Sequence, residues 1–221
     1  DRYYENFGRE NVVMFDKKAY ADKVDEGNNF DNRKIIMHAR NACFDIAEQL
    51  GVTYFMQLDD DYLNIRYRVK NNTEYLTNTP KVKNADQLFY CLLEYYKKTN
   101  AHSIAMSQGG DWIGGSKSSY TKLPLKRKAM NTFFCSTERP FQFVGGVNED
   151  VNTYTTLGSR GALFFTIPFV DIEQVQTQSQ GDGMTDFYLK YGTYVKSFTT
   201  VMMVPSSVKV SMMRSENARL H

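Results

Sequence analysis

A chain of 221 residues that is 42% hydrophobic, 14% aromatic and 24% charged can bury one sizeable core and is not composed like a disordered segment. Its formal net charge of +2 excludes a protein that gathers polyanions over its whole surface, so any nucleic-acid site must be local. No apolar run reaches the roughly 18 residues a membrane span needs, and no signal peptide opens the chain, so no membrane partner is expected. Cys43, Cys91 and Cys135 are odd in number, far apart and in apolar contexts. They read as reduced core residues of an intracellular, cytoplasmic protein and not as a disulfide or zinc framework. The sequence starts at Asp1 without a methionine, and residues upstream of it are expected.

In chain order, Asn11 to Asp16 is a short β-type run that ends in an acid, and a polar loop follows around Gly27 to Asn32. The spacing of Ile35, Ile36, Ala39, Ala42, Cys43, Ile46, Ala47 and Leu50 predicts a helix from about Arg33 to Leu50, with Gly51 as its C-terminal cap. Val52 to Leu58 then reads as a strand. Asn84 looks like the cap of a second helix reaching about Lys97, striped by Leu88, Phe89, Leu92, Leu93 and Tyr96. Ser103 to Met106, Phe133 to Val144 and Ala162 to Val170 are predicted strands, and the tail from Tyr194 to Met213 is β-like. Helices alternating with strands point to an α/β protein. With no repeat, linker or low-complexity tract, residues 1–221 read as a single domain.

Three stretches carry chemistry. In "YFMQLDDDY" a strand runs into Asp59, Asp60 and Asp61, whose charges repel unless they fan out into water or hold a cation. Carboxylates at the carboxyl end of such a strand suit a hard divalent ion bound with substrate phosphates. In "FVGGVNEDVNTY", Gly145-Gly146 allow close backbone approach or positive φ. Glu149 or Asp150 is either a general base or simply the acidic first turn of a helix. In "SQGGDWIGGSKSSYTKLPLKRK", Trp112 sits between two Gly-Gly pairs as a stacking surface. Lys117, Lys122, Lys126, Arg127 and Lys128 form the densest basic stretch, suited to a phosphate backbone or to a solvated face.

The ordered set "HARNACFDIAEQLGVTYFMQLDDDY", "RKAMNTFFC", "FVGGVNEDVNTYTTLGSRG", "QTQSQGDGMTDFYLKYGTYVKSF" and "VPSSVKVSMM" resembles the TET-associated glycosyltransferase family. The likeness runs from about Asn11 to His221. That family includes the base J glucosyltransferase and phage enzymes that glycosylate hydroxymethylated pyrimidines in DNA. The first segment is similar to the donor-binding half of GT-A glycosyltransferases, whose aspartate (DxD) motif binds metal and nucleotide-sugar. The resemblance implies a GT-A-like domain with a central mixed, mainly parallel Rossmann-like sheet flanked by helices. Its first strands would be missing upstream of Asn11. It further implies a UDP-sugar donor, Mn²⁺ or Mg²⁺, and transfer to 5-hydroxymethylcytosine or 5-hydroxymethyluracil in DNA, in the host cytoplasm if phage-encoded.

Carried over position by position, Asp59 and Asp61 would flank the metal. His221, beside Arg219 at the end of the sequence, offers a neutral imidazole that would either complete the metal site or ligate nothing. Arg40 would meet the diphosphate, with Asp59 and Asp60 also on the donor side. Asp150 would be the base, or Glu149 if the loop turns otherwise. Trp112, Lys117, Lys126, Arg127 and Lys128 would face the acceptor. Two other readings stay open: a GT-A enzyme with a protein or glycan acceptor, and a non-catalytic nucleic-acid-binding module.

Overall fold

A computed structural model of the chain describes residues 2–24, 35–70, 74–76, 80–108, 111, 132–175, 185–213 and 219–220. The helices are α1 (Arg2–Phe7), α2 (Lys17–Ala21), α3 (Met37–Gln49), α4 (Ala85–Lys97), α5 (Glu149–Gly158) and α6 (Thr185–Met203). The strands are β1 (Tyr54–Gln57), β2 (Tyr62–Tyr67), β3 (Val69–Lys70), β4 (Glu74–Tyr75), β5 (Ser103–Gln108), β6 (Phe133–Ser136), β7 (Phe164–Gln174), β8 (Met212–Met213) and β9 (Arg219–Leu220). β1, β6, β5, β7 and β2 form one sheet in that order, and β3/β4 and β8/β9 are separate two-stranded ribbons.

The mixed α/β class holds, but the sheet is not mainly parallel. Only β5 and β7 pair in parallel; β1/β6, β5/β6 and β2/β7 are antiparallel. Those pairings nevertheless leave β1, β5 and β7 running the same way, so their carboxyl ends share one edge. β1 and β2 occupy opposite margins of the sheet, yet Leu58–Asp61 is all that joins them. A flat five-stranded sheet would separate its margins by about 19 Å. The five Cα steps from Gln57 to Tyr62 span about 18 Å only when fully extended. The connector is bent, with the Asp59 N–H bonded to Tyr62 Oη at 3.1 Å, so the sheet curls and draws the two margins together. The aspartate triplet is thereby stretched across the edge where β1, β5 and β7 end.

Period-two alternation splits the core between the two faces. Phe55, Ala105, Phe133 and Cys135 meet Ile35, Met37 and Phe44 on the α3 side. Tyr54, Met56, Ile104, Met106, Phe134, Val170 and Ile172 meet Leu92 and Tyr96 of α4 on the other. Cys135 is buried in the core as expected, but Cys91 lies on the exposed side of α4 and Cys43 is only half buried. The α3 terminus is a Schellman end. Gly51 has φ 66°, its N–H bonds Glu48 O at 3.0 Å, and the Val52 N–H bonds Ala47 O at 2.8 Å. Asn84 caps α4 by accepting from the Gln87 N–H at 3.0 Å.

Three local expectations are corrected. Asn11–Asp16 is no strand; Arg9–Asn11 is a 3₁₀ turn, and Asp16 caps α2 by accepting from the N–H groups of Lys18 and Ala19. The strand expected to continue to Val144 stops at Ser136. The chain turns there, the Arg139 N–H bonding Ser136 O, and Pro140 has no N–H to offer a ladder. The tail around Tyr194–Met203 is helical, with a break at Gly192 (φ 73°). Thr200 and Val204 are buried at helical spacing, so packing overrides the β-propensity of its aromatic and branched residues. In β7, Pro168 falls where the register against β5 shifts, between Met106↔Ile167 and Ser107↔Asp171.

Gly145 has φ 89°, and a Cβ there would collide with Nδ2 of Asn152, which bonds Val144 O and Val147 O. Gly145→Ala should therefore destabilise the fold by about 1–3 kcal/mol, seen as a lower urea midpoint with an unchanged slope.

Candidate active site

α3 runs antiparallel to the strand that follows it, so its first turn lies beside the carboxyl end of β1. Arg40 sits in that turn with its side chain 5% exposed. Its Nη2 bonds Asp59 Oδ1 at 3.0 Å and its Nε bonds Glu149 Oε1 at 3.1 Å. The guanidinium lies over the rings of Phe133 (5.2 Å) and Phe143 (5.6 Å). Two further bonds fix this helix turn. Buried Gln57 donates from Nε2 to Arg40 O, and Asn41 exchanges a reciprocal pair of hydrogen bonds with the Phe143 backbone. Burial works against the Arg40 cation, but Asp59 and Glu149 more than offset it, and its pKa is raised.

The carboxylates divide their roles. Burial raises the pKa of Asp59; Arg40 opposes this, and the charge of Asp61 adds to it. Asp61 is held from β7: Gln174 Nε2 reaches both its carboxylate oxygens at 2.8 Å, and the Val175 N–H bonds its carbonyl. Asp60 points outward and is exposed. Asn64 and Arg66 of β2, and Arg68 just after it, pair with Glu173 and Asp171 of β7, fastening the strand that receives the connector.

The second acidic pair opens α5, so the helix-start reading of Glu149-Asp150 is correct as local structure. Asn148 precedes it in a left-handed conformation (φ 60°), and its Nδ2 donates to Lys196 O and Thr200 Oγ1 of α6. Glu149 turns back to Arg40. Burial, then Asp150, raise the Glu149 pKa, and Arg40 partly counters them. Asp150 is only 8% exposed and accepts no hydrogen bond among the described residues, yet its oxygens retain an edge open to solvent. Its charge is felt by Arg40, Asp59 and Glu149. Asp150 is thus a second carboxylate beside the Arg40 cluster that no described residue engages by a hydrogen bond.

The structure thus gathers Arg40, Asp59, Asp61, Glu149 and Asp150 at one edge. Trp112, Lys117, Lys126, Arg127, Lys128 and His221 lie outside the described residues. For a divalent cation, Asp59 and Asp61 offer neighbouring oxygen donors of the right kind. Among the described residues, no three His, Cys, Asp or Glu side chains gather into a metal-binding group. Sequence reasoning missed Tyr62, Gln174, Tyr154 and Asp111. Tyr62 ends the quoted aspartate motif, and buried Asp111 follows β5, accepting from the Gln108 N–H at 3.0 Å. Gln174 carries no signal of its own, because its role exists only through the β2/β7 register.

Among known families, the TET-Associated Glycosyltransferase model matches residues 1–183. No curated protein and no solved structure matches the chain.

Proposed function

The chain belongs to the TET-associated glycosyltransferase family, and from that premise we propose that it moves a sugar from a UDP-sugar to the hydroxymethyl oxygen of a modified pyrimidine in DNA. The acceptor would be 5-hydroxymethylcytosine or 5-hydroxymethyluracil. The observation that carries this reading is the Asp150 carboxylate, buried, unbonded among the described residues and within electrostatic reach of Arg40 and Asp59.

In the step we propose, Asp150 takes the proton of the acceptor hydroxyl as its oxygen attacks the anomeric carbon. The bond from that carbon to the diphosphate breaks, and UDP leaves with the electron pair. Glu149 is committed to Arg40, which favours Asp150 as the base. Among the described residues Arg40 Nη1 has no protein partner, and through it Arg40 is assigned to the diphosphate. Asp59 and Asp61 would hold Mn²⁺ or Mg²⁺ on the donor side, as in a GT-A domain, with His221 as a further ligand. When bound, the cation supplies positive charge against the leaving diphosphate. Trp112, Lys117, Lys126, Arg127 and Lys128 are assigned to the acceptor. A base inside a duplex cannot reach a buried carboxylate, so the substrate is flipped out or single-stranded.

The test is intact-mass measurement of oligonucleotides containing hydroxymethylcytosine or hydroxymethyluracil, incubated with a panel of UDP-sugars and Mn²⁺. A mass gain of one sugar is expected; no gain on either base would refute the DNA reading and favour a protein or glycan acceptor. Asp61→Asn is expected to abolish the gain while leaving the thermal midpoint nearly unchanged. The same yield from the variant would remove Asp61 from the donor site.

A further inference from the structure

Tyr154 follows Asp150 by one helical turn on α5, so the two side chains rise from the same face of the helix. It is half-buried, and among the described residues its hydroxyl has no protein partner while retaining contact with solvent. Three other half-buried or buried tyrosines do use their hydroxyls. Tyr20 donates to Asp45, Tyr96 donates to His102 O at 2.8 Å, and Tyr62 accepts from the Asp59 N–H. A buried tyrosine normally finds a partner for its hydroxyl. At this position two neighbouring oxygen functions, a carboxylate and a phenol, are both left open.

We propose that Tyr154 is an acceptor-contact residue, its hydroxyl hydrogen-bonding the pyrimidine that carries the reacting hydroxymethyl group and holding that group against Asp150. The inference rests on the reading of Asp150 as the base. A phenol suits the role because it can donate to a ring nitrogen or carbonyl and can accept from an exocyclic amine. Burial, then the charges of Asp150 and Asp111, push its pKa up, so it stays a neutral partner and does not compete as a second base. No proton changes hands at Tyr154; it orients the acceptor.

The experiment is steady-state kinetics of Tyr154→Phe with a hydroxymethylated oligonucleotide and the UDP-sugar that the wild type consumes. The substitution removes one oxygen that bonds no group among the described residues, so the thermal midpoint should not move. An about tenfold fall in kcat/KM for the oligonucleotide is expected, with the donor KM unchanged within about twofold. Fluorescence anisotropy should show weaker binding of the labelled oligonucleotide. Unchanged acceptor constants, or an equal loss for donor and acceptor, would overturn the inference while leaving the transferase reading intact. A wild type that transfers no sugar to either base would overturn both.

Discussion

Asp150→Asn is expected to lower kcat by about 10²–10⁴-fold, with the UDP-sugar KM held within about twofold. The carboxamide fills nearly the same volume and cannot accept a proton at the working pH. Because Asp150 accepts no hydrogen bond among the described residues, the exchange breaks none of the bonds they make. Glu149 lies next to it in sequence, but its Oε1 is engaged by Arg40 Nε at 3.1 Å. Single-turnover transfer to a hydroxymethylated oligonucleotide, read by mass, separates the chemical step from binding. Turnover within about threefold of wild type would remove Asp150 from the base role. The parallel variant Glu149→Gln would then be the one to measure.

Arg40→Met is expected to have the largest effect on stability, a loss of about 3–5 kcal/mol. Methionine can pack between Phe133 and Phe143, but it leaves Asp59 and Glu149 facing each other with no cation between them. For a chain of this length, that loss corresponds to a fall of roughly 6–20 °C in the thermal midpoint. The pH dependence has a definite sign. Asp59 and Glu149 already have raised pKa values, with burial the first cause in each, and Arg40 is what restrains them. Without Arg40 both rise further. A carboxyl raised in the folded state contributes stability that is complete below its unfolded pKa and is lost as pH rises through the folded one. The deficit of the variant should therefore be smaller near pH 4–5 than at about pH 7. Thermal melts at the two values measure it, and an equal deficit at both would mean the carboxylates do not depend on Arg40. This expectation adds to the assignment of Arg40 to the diphosphate: in the ligand-free fold it joins the two acidic segments.

The local pieces of this picture were legible early. The helix before the aspartate motif, its Gly51 end and the Asn84 cap depend on residues a few positions apart, whose spacing and turn chemistry act within one stretch of chain. Legibility failed where a distant contact outweighed local preference. The aromatic and β-branched residues after Tyr194 read as strand, but Asn148 and the buried positions Thr200 and Val204 hold them in a helix. Asn11–Asp16 read as strand, but Asp16 used its carboxylate to start a helix. Strand direction was not legible either, because pairing of β1 with β6 is chosen across some 80 residues by packing of the two faces.

What the sequence determined by itself was the chemistry available: three aspartates after a strand, an arginine one helix earlier, and an acidic pair after two glycines. Type and order of residues suffice for that, since ionisation and donor capacity belong to the side chain. The tertiary structure decided which of these groups remain open. Curling of the sheet stretched the triplet across the ends of β1, β5 and β7, and Arg40 and Gln174 took up Asp59 and Asp61. Glu149 was drawn to Arg40 while Asp150 stayed unbonded among the described residues. Two adjacent acids are equivalent in sequence. They differ only because one helix turn aims them at different neighbours, and burial makes that difference energetically large.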